Sequence, residues 1–302
     1  MRSAFFIISI QLFVLTFAIP VTAFNDDSRD DTRSPLLNTL CENAQVLNDS
    51  PTLKSSCKGD IVQLKSRNAV LIKNGRIISH NPVRDFKVSR NGKVYYRSQS
   101  GPFLSNESGR LNSLRTAVII YLVSSQGDVV YLNDQGIVFK NGKPLNQNKG
   151  KVPFQIKKSS ITGNPYYTTL NLTLSRNGRA VYINDMGQLY IDQEAMSQHT
   201  AKVKQFKIDS QASVFYLDDL GRLYKNKTRL SRKPVKVKNF KLNAQGEIAY
   251  LTDGTSNNLY FEKRKFSAGS HRILSFNFTG SGEVIYTDDK RRLWKMGLLI
   301  SD

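Results

Sequence analysis

The protein has 302 residues, of which 39% are hydrophobic and 23% charged, so the composition is that of a globular chain long enough to bury a core. Its 44 Lys and Arg outnumber its 24 Asp and Glu, which gives a formal net charge of +20. Two Cys and three His exclude a disulfide-dense miniprotein, a multi-cysteine zinc module and a His-rich metal cluster. We therefore expect neither a metal nor a cofactor.

Residues 1–23 have the features of a secretory signal peptide. Arg2 supplies a positive start, the stretch from Phe5 to Ile19 is almost wholly apolar, and Val21-Thr22-Ala23 fits the small-residue cleavage rule. The alternative is a transmembrane anchor, but the apolar run is short for a hydrocarbon core of about 30 Å. The sequence thus predicts a secreted or periplasmic protein with no transmembrane segment after cleavage.

Residues 24–50 form a predicted N-terminal arm, and its first part, 24–36, has the polar and charged composition of a disordered leader. Cys41 lies in this arm, and Cys57 follows shortly after it. Because oxidising compartments permit disulfides, we expect a Cys41–Cys57 bridge that ties the arm to the first repeat. The alternative is a pair of free, buried thiols.

A repeat fills residues 51–302, which we predict to be one domain. The residue at a tight turn recurs seven times with spacings of 33, 35, 51, 34, 34 and 36, at Gly59, Gly92, Gly127, Gly178, Ala212, Gly246 and Gly282. An apolar residue stands six positions before each of these turn residues. A Tyr stands four positions after six of the seven, and Gln63 replaces it in the first repeat, as is common in a terminal repeat.

Each repeat predicts a small antiparallel sheet of three or four strands. A small polar residue three positions before the turn Gly is typical of a type I turn. The strand that follows is apolar at successive positions, as in Val129-Val130-Tyr131-Leu132, so both of its faces are covered. Sheets buried on both faces must stack on neighbours, and radial stacking gives an all-β fold, a seven-bladed β-propeller of short antiparallel blades. The alternative is a linear β-solenoid, whose repeats are generally shorter.

The sequence motif G-x-V-x-Y-L-x-D-x-G-x-L-Y resembles the repeats of β-propeller families. It is most similar to pyrroloquinoline-quinone-type and tectonin-like blades, and the similarity extends over roughly residues 51–298. It implies the architecture and not a ligand, because these families share the hairpin and differ in what they bind. The Trp-Asp dipeptide of WD40 repeats and the Asp boxes of sialidases are missing from the sequence.

An Asp recurs in the second turn of five repeats, at Asp134, Asp185, Asp219, Asp253 and Asp289. In a propeller these turns lie on the same face as the connections between blades. The aspartates could therefore form a cation or amino-sugar site, or they could serve only to cap their own turns. We favour turn capping, since each Asp sits in its own local motif.

The single long spacing indicates an insertion of about 16 residues in the region 145–170. It combines Lys149, Lys151, Lys157 and Lys158 with Tyr166 and Tyr167. Lys and aromatic side chains on a long loop can bind an anionic polymer or stack on sugar rings. The alternative is a β-hairpin extension that packs on a neighbouring blade.

A second basic segment runs from Arg222 to Gly246 without an acidic residue. From it we select Arg232, Lys233, Lys236 and Lys238, which we expect on the same face as the insertion. Such charge attracts polyanions. Because export argues against nucleic acid, we expect a monomeric binding module for an anionic polysaccharide or envelope polymer, or for an acidic protein.

Enzyme signals are weak, because no nucleophile-elbow, zinc-protease or phosphate-loop motif occurs in the sequence. We therefore assign no catalytic residue. Two alternatives stay open at this point. One is a carbohydrate-active hydrolase or lyase with acidic residues at the propeller channel, and the other is a structural scaffold in an envelope complex.

Overall fold

The structure of the protein is a computed structural model. It describes residues 52–65, 69–101, 103–113, 115–158, 165–168, 171–197, 200–231, 235–254, 257–262, 264–266 and 271–301. The chain divides into two units, residues 1–34 and 35–302, and every described residue belongs to the second. The predicted signal peptide, the arm at 24–50 and Cys41 lie outside the described residues. The disulfide to Cys57 therefore stays a prediction.

The described residues form seven four-stranded antiparallel sheets, in which the strands follow one another in chain order. Sheet 1 contains β1 (Leu53–Ser55), β2 (Ile61–Lys65), β3 (Val70–Lys73) and β4 (Arg76–Ile77). Sheet 2 contains β5 (Val83–Val88), β6 (Val94–Ser98), β7 (Leu104–Asn106) and β8 (Gly109–Arg110). Sheet 3 contains β9 (Val118–Val123), β10 (Val129–Asn133), β11 (Val138–Lys140) and β12 (Lys143–Pro144).

A separate hairpin of β13 (Gln155–Lys158) and β14 (Pro165–Thr168) precedes sheet 4. Sheet 4 contains β15 (Leu172–Leu174), β16 (Ala180–Ile183), β17 (Leu189–Ile191) and β18 (Glu194–Ala195). Sheet 5 contains β19 (Val203–Ile208), β20 (Val214–Asp218), β21 (Leu223–Lys225) and β22 (Thr228–Arg229). Sheet 6 contains β23 (Val237–Leu242), β24 (Ile248–Thr252), β25 (Leu259–Phe261) and β26 (Arg264–Phe266). Sheet 7 contains β27 (Ile273–Phe278), β28 (Val284–Asp288), β29 (Leu293–Lys295) and β30 (Leu298–Ser301).

Each sheet packs on the next through its own hydrophobic cluster. Between sheets 5 and 6, for example, Phe215 and Leu223 pack with Phe240 and Tyr250. Equivalent clusters join sheets 1 and 2, 2 and 3, 3 and 4, 4 and 5, and 6 and 7. The protein is therefore a seven-bladed all-β propeller, which confirms the fold predicted from the repeat. Within the described ranges no helix is long and apolar enough to span a membrane.

The first turn of every sheet is built as its sequence predicts. The small polar residue accepts a hydrogen bond from the backbone N–H four residues later, as between Ser175 and Arg179 at 2.9 Å. The fourth turn position has positive φ, for which glycine is the favoured residue. Ala212 takes that position in sheet 5 with φ of 65° and thus adopts a conformation that glycine holds in the other six sheets.

The second turn is capped by the residue before the recurrent Asp. Buried Asn133 accepts the N–H of Ile137 at 2.8 Å, and buried Asp218 accepts that of Arg222 at 2.8 Å. The recurrent Asp contacts the chain that enters its own sheet, and the Asp219 carboxylate accepts the N–H of Lys202 at 3.2 Å. The N–H of Asp219 donates to the carbonyl of Lys202 at 2.8 Å and so fixes the chain that leads into the first strand of its sheet. The prediction that the recurrent Asp side chain caps this turn is therefore wrong, because the residue before it supplies the capping oxygen.

The recurrent Tyr stacks on an aromatic side chain directly across the sheet. Tyr182 and Tyr190 have ring centroids 5.5 Å apart, and the Tyr216 and Tyr224 centroids are 4.8 Å apart. Stacked aromatic pairs add stability beyond the area that they bury. This stack also fills the face that packs on the preceding sheet.

Leu223→Ala should strongly destabilise the protein. The side chain is fully buried between sheets 5 and 6, so its removal leaves a cavity and should cost about 2–5 kcal/mol. Leu220→Ala is the matched control, because Leu220 lies in a nearby turn and is 52% exposed. The urea concentration at the unfolding midpoint should fall strongly for Leu223→Ala and change little for Leu220→Ala. Equal losses would contradict the inter-sheet packing described above.

Candidate functional site

The first strand of each sheet is its innermost strand. First strands of consecutive sheets approach each other, as β1 and β5 do, while short fourth strands such as β8 and β18 are exposed at the outside. Radial sheets are closest together at the centre of a propeller. The seven first strands, β1, β5, β9, β15, β19, β23 and β27, therefore line the central channel.

These inner strands are strongly basic. They hold seven cationic residues, namely Lys54, Arg84, Lys87, Lys204, Lys207, Lys238 and Lys241. Among the described inner-strand residues, Asp85 is the one carboxylate. All seven cations are exposed or half-buried, so their charge reaches the channel.

Three of these lysines lie over the aromatic ring of the next inner strand. The Lys54 ammonium is 5.5 Å from the Phe86 ring centroid, and that of Lys241 is 5.6 Å from the Phe276 ring. The Lys87 ammonium is 5.0 Å from the Tyr121 ring and donates a hydrogen bond to the Tyr121 carbonyl at 3.0 Å. Cation–π contacts of this kind place the ammonium groups at the channel wall and also link neighbouring sheets.

A cluster of four polar side chains lies in a cavity of about 580 Å³ along the inner strands of sheets 2 and 3. The Arg97 guanidinium binds both oxygens of Asp85, and its Nε lies 3.1 and 2.9 Å from them. The Tyr121 hydroxyl donates to Asp85 at 2.8 Å, and Arg97 also donates to the Ile119 carbonyl at 3.3 Å. Arg97 and Asp85 thus form an ion pair, and Lys87 gives the cluster its net positive charge.

Burial has a clear effect on the ionisation of this cluster. Burial lowers the pKa of Lys87 below 10.5, and the nearby cations Arg97 and Lys54 act in the same direction. The Asp85 carboxylate opposes the shift, because it favours the charged ammonium and raises the pKa of Lys87. Burial and Asp85 hold the pKa of Tyr121 well above its usual range, so Tyr121 is a neutral hydrogen-bond donor.

A second cavity, of about 520 Å³, follows the inner strands of sheets 4, 5 and 6. Lys207 and Arg176 line it together with Asp209 and Asn243. The channel wall therefore offers two recesses that are lined by cations and hydrogen-bonding groups. A ligand with several separated negative charges could contact both.

The insertion begins later in the chain than its spacing suggested. Residues 145–152 form an ordinary connection between sheets, since Leu145 donates its N–H to Val138 just as Leu230 does to Leu223. The inserted residues lie between Val152 and Leu172, at the place of the inner strand of sheet 4. The hairpin of β13 and β14 is thus rooted at the channel.

The predicted insertion residues therefore separate into two groups. Lys149 is half-buried, donates to the Gln193 carbonyl and lies 5.6 Å from the Tyr190 ring, so it contacts sheet 4. Lys151 is exposed, and its carbonyl accepts the Asp185 N–H at 2.7 Å. The other four lie in the hairpin, where the backbone pairs Lys157 with Tyr166, Ile156 with Tyr167, and Lys158 with Pro165.

Of the second predicted basic group, the structure describes Lys236 and Lys238. Arg232 and Lys233 lie outside the described residues. Lys236 is exposed, and its carbonyl accepts the Asp253 N–H at 2.7 Å, which is the same relationship that Lys151 has to Asp185. These two lysines therefore lie on the same face, as predicted. Lys238 is exposed on the inner strand β23, close in sequence to Lys241.

Sequence reasoning missed most of the channel cations, although a signal for them exists. A Lys directly follows the apolar residue six positions before the turn in four repeats, at Lys54, Lys87, Lys207 and Lys241. Comparison of the polar positions of the repeat, in addition to the apolar ones, would have identified these four lysines. Arg97 and Tyr121 could not be paired with Asp85 in this way, because they come from different strands and sheets.

No protein-family model matches the sequence, and no curated protein matches it. Among solved structures, a catalytically inactive virginiamycin B lyase from Staphylococcus aureus with quinupristin is 10% identical, with a TM-score of 0.30 over 81% of this chain and 93% of that one. YCF48 bound to D1 peptide is 8% identical, with a TM-score of 0.33 over 84% of this chain and 89% of that one. The WD40 β-propeller domain of Doa1 is 11% identical, with a TM-score of 0.27 over 78% and 88% of the two chains. At such identities these similarities say nothing about a ligand, and the propeller assignment rests on the seven sheets.

Asp85→Asn should lower the pKa of Lys87 further. The carboxylate favours the charged ammonium, so its removal leaves burial and the neighbouring cations unopposed. NMR titration of the protein with isotopically methylated lysines can follow the Lys87 amine directly. Asp219→Asn is the control, because Asp219 lies in an exposed second turn and should leave the Lys87 titration unchanged. A rise in the pKa of Lys87 would contradict the cluster geometry.

Proposed function

We propose that the protein is a secreted or periplasmic binding module that holds an anionic glycan or envelope polymer against the basic inner strands of its central channel. The observation that carries the proposal is the excess of seven cations over one carboxylate on those strands. The predicted signal peptide supplies the compartment, in which anionic envelope polymers are abundant. The proposal thus moves the predicted site from the insertion toward the channel and keeps its ligand class.

Packing the inner strands with like charges costs free energy, which favours a functional reason for them. Lysines that face one another across a channel repel, and an anionic polymer would relieve this repulsion as it binds. The hairpin of β13 and β14 adds Lys157, Lys158, Tyr166 and Tyr167 to a chain segment that leaves and rejoins the same wall. A polymer in the channel could therefore extend along the hairpin.

The hydrolase or lyase alternative is less well supported. Glycoside hydrolysis requires a general acid whose pKa is raised. Hydrogen bonds from Lys227 and Lys295 lower the pKa of Glu194 and of Glu283 respectively. Burial raises the pKa of Asp288, but the hydrogen bonds from Trp294 and Arg292 together outweigh burial and lower that pKa to about 2. On the described inner strands the carboxylate is Asp85, which Arg97 already binds through two nitrogens. The geometry therefore favours binding over acid catalysis.

Replacing four channel lysines should weaken binding of a polyanion. The variant Lys204→Gln, Lys207→Gln, Lys238→Gln, Lys241→Gln removes four contacts worth about 0.4 kcal/mol each, which together correspond to about 15-fold in Kd. Dextran sulfate is a suitable probe, with neutral dextran for comparison, and isothermal titration at 20 mM and 200 mM salt gives the Kd. Binding should weaken as salt rises, because the contacts are exposed ion pairs.

The control variant removes the same charge from the outside of the propeller. It combines Lys140→Gln, Lys143→Gln, Lys225→Gln and Lys227→Gln, whose positions lie on or beside the third and fourth strands. An equal loss of affinity in both variants would show that net charge, and not the channel, attracts the probe. Tighter binding of polyglutamate than of dextran sulfate would overturn the glycan assignment in favour of an acidic protein.

A further inference from the structure

A lysine occupies the same place in the third strand of four sheets. It stands directly across from the residue three positions after the first turn residue, and the four lysines are Lys73, Lys140, Lys225 and Lys295. Three of them pair with a carboxylate, at N–O distances of 3.0 Å for Lys73 and Glu107, 3.8 Å for Lys140 and Asp192, and 2.7 Å for Lys295 and Glu283. The first two of these ion pairs join neighbouring sheets.

Lys225 is the exception. It forms no ion pair with any carboxylate that the structure describes, and its ammonium group lies 5.1 Å from the centroid of the Phe215 ring in its own sheet. In sheets 4 and 6 an apolar residue holds the same place. Ile191 is buried against sheet 5, and the Phe261 ring centroid lies 5.9 Å from that of Phe278 in sheet 7. Between sheets 5 and 6 this place is therefore neither filled by an apolar residue nor closed by an ion pair of the lysine.

A carboxylate stands where the partner of Lys225 is expected. Glu262 of sheet 6 corresponds to Asp192 of sheet 4, since both have positive φ, at 54° and 52°. Each also accepts the N–H of the first residue in the second strand of its sheet, Glu262 at 2.8 Å and Asp192 at 2.9 Å. Asp192 is in contact with Lys140 of the preceding sheet, whereas Glu262 and Lys225 form no ion pair. Two opposite charges are thus held apart between sheets 5 and 6.

Both charged side chains line one cavity of about 440 Å³. Phe215, Ile248 and Tyr250 are buried and line its inner end, while the exposed side chains of Glu262 and Lys265 mark its opening. Cavities of this size hold small molecules. Among its described lining residues none belongs to an inner strand, so the cavity lies outside the central channel.

The walls of the cavity combine apolar rings with separated charges. Tyr250 and Tyr260 stack with ring centroids 5.0 Å apart and form one wall. Lys225 and Lys265 supply two positive charges, and Glu262 supplies one negative charge. One oxygen of Glu262 accepts the backbone N–H described above, and its other oxygen has no hydrogen-bond partner within the described part of the chain. A ligand with a carboxylate, an amine and an apolar body therefore matches both the charges and the apolar surface.

We propose that this cavity binds a small apolar amino acid. The carboxylate of the ligand lies against Lys225 and Lys265, its ammonium group lies against Glu262, and its side chain lies against Phe215 and Tyr250. The ligand thus bridges two charges that are in direct contact at the equivalent place between sheets 3 and 4. The site is separate from the proposed polymer site, so either can exist without the other.

Isothermal titration of the purified protein with three related probes tests the ligand class. Phenylalanine carries all three groups, 3-phenylpropionate lacks the amine, and phenethylamine lacks the carboxylate. Phenylalanine should bind about tenfold more tightly than either analogue, because each analogue loses a charge-assisted contact. Absence of phenylalanine binding, or equal or tighter binding of either analogue, would overturn the amino-acid assignment.

Two single variants test the residues that hold the ligand. Glu262→Gln keeps an oxygen that can accept the Ile248 N–H, so the turn should stay intact. It should weaken phenylalanine binding about tenfold and leave 3-phenylpropionate binding unchanged, since that probe has no amine. Lys225→Gln should weaken the binding of both probes, because both carry the carboxylate.

Lys143→Gln is the matched control for the loss of one positive charge. Lys143 is exposed on the fourth strand of sheet 3, so its replacement should leave both affinities unchanged. An equal loss of affinity in Lys143→Gln and Lys225→Gln would show that net charge attracts the probes, which contradicts the proposal. Phenylalanine binding that neither Glu262→Gln nor Lys225→Gln weakens would place the ligand outside this cavity and would also overturn it.

Discussion

The structure depends on the burial of both faces of short strands between neighbouring sheets. A sheet of four strands, some only two residues long, cannot bury enough apolar surface by itself, so each one is stable only against another. The five residues of β10, β20 and β24 are buried throughout for this reason. Everything else in the fold, including the position of the channel, follows from how these layers are stacked.

Burial also explains why the turns are so regular. Because both faces of each sheet are covered by apolar side chains, the backbone N–H and C=O groups at the turns need hydrogen-bond partners close by. A side-chain oxygen caps each first turn, and the residue before the recurrent Asp caps the second turn of sheets 3, 4, 5 and 7. A buried Ser or Asn satisfies the start of the third strand in sheets 1 to 5, as Asn146 does for Val138 at 2.7 Å. The same hydrogen bonds fix the register of the sheets, so the repeat can tolerate variation at its exposed positions.

The basic channel is a second consequence of radial stacking. In sheets 1, 2 and 6 the lysine that follows the apolar inner-strand residue lies over an aromatic ring of the next sheet. The seven charges lie on the inner strands of sheets 1, 2, 5 and 6, which are the basic parts of the channel wall. Gln63 and Thr287 stand where neighbouring sheets use apolar residues; Gln63 is exposed and Thr287 is half-buried.

Much of this protein was determined by the sequence alone. The spacing of Gly, Tyr and apolar residues predicted seven sheets, the turn chemistry and the absence of helical segments, because these are local properties of a repeating chain. The sequence also predicted that Lys151 and Lys236 share a face, since equivalent positions of a repeat lie on the same side of the fold.

Only the tertiary structure decided which charges act together. It placed Lys149 against sheet 4, moved the insertion to the inner strand of that sheet, and brought Asp85, Arg97 and Tyr121 of different strands into one cluster. The physical reason is that a repeat specifies contacts between equivalent neighbours, whereas the channel is formed by residues far apart along the chain, whose proximity depends on how all seven sheets are arranged.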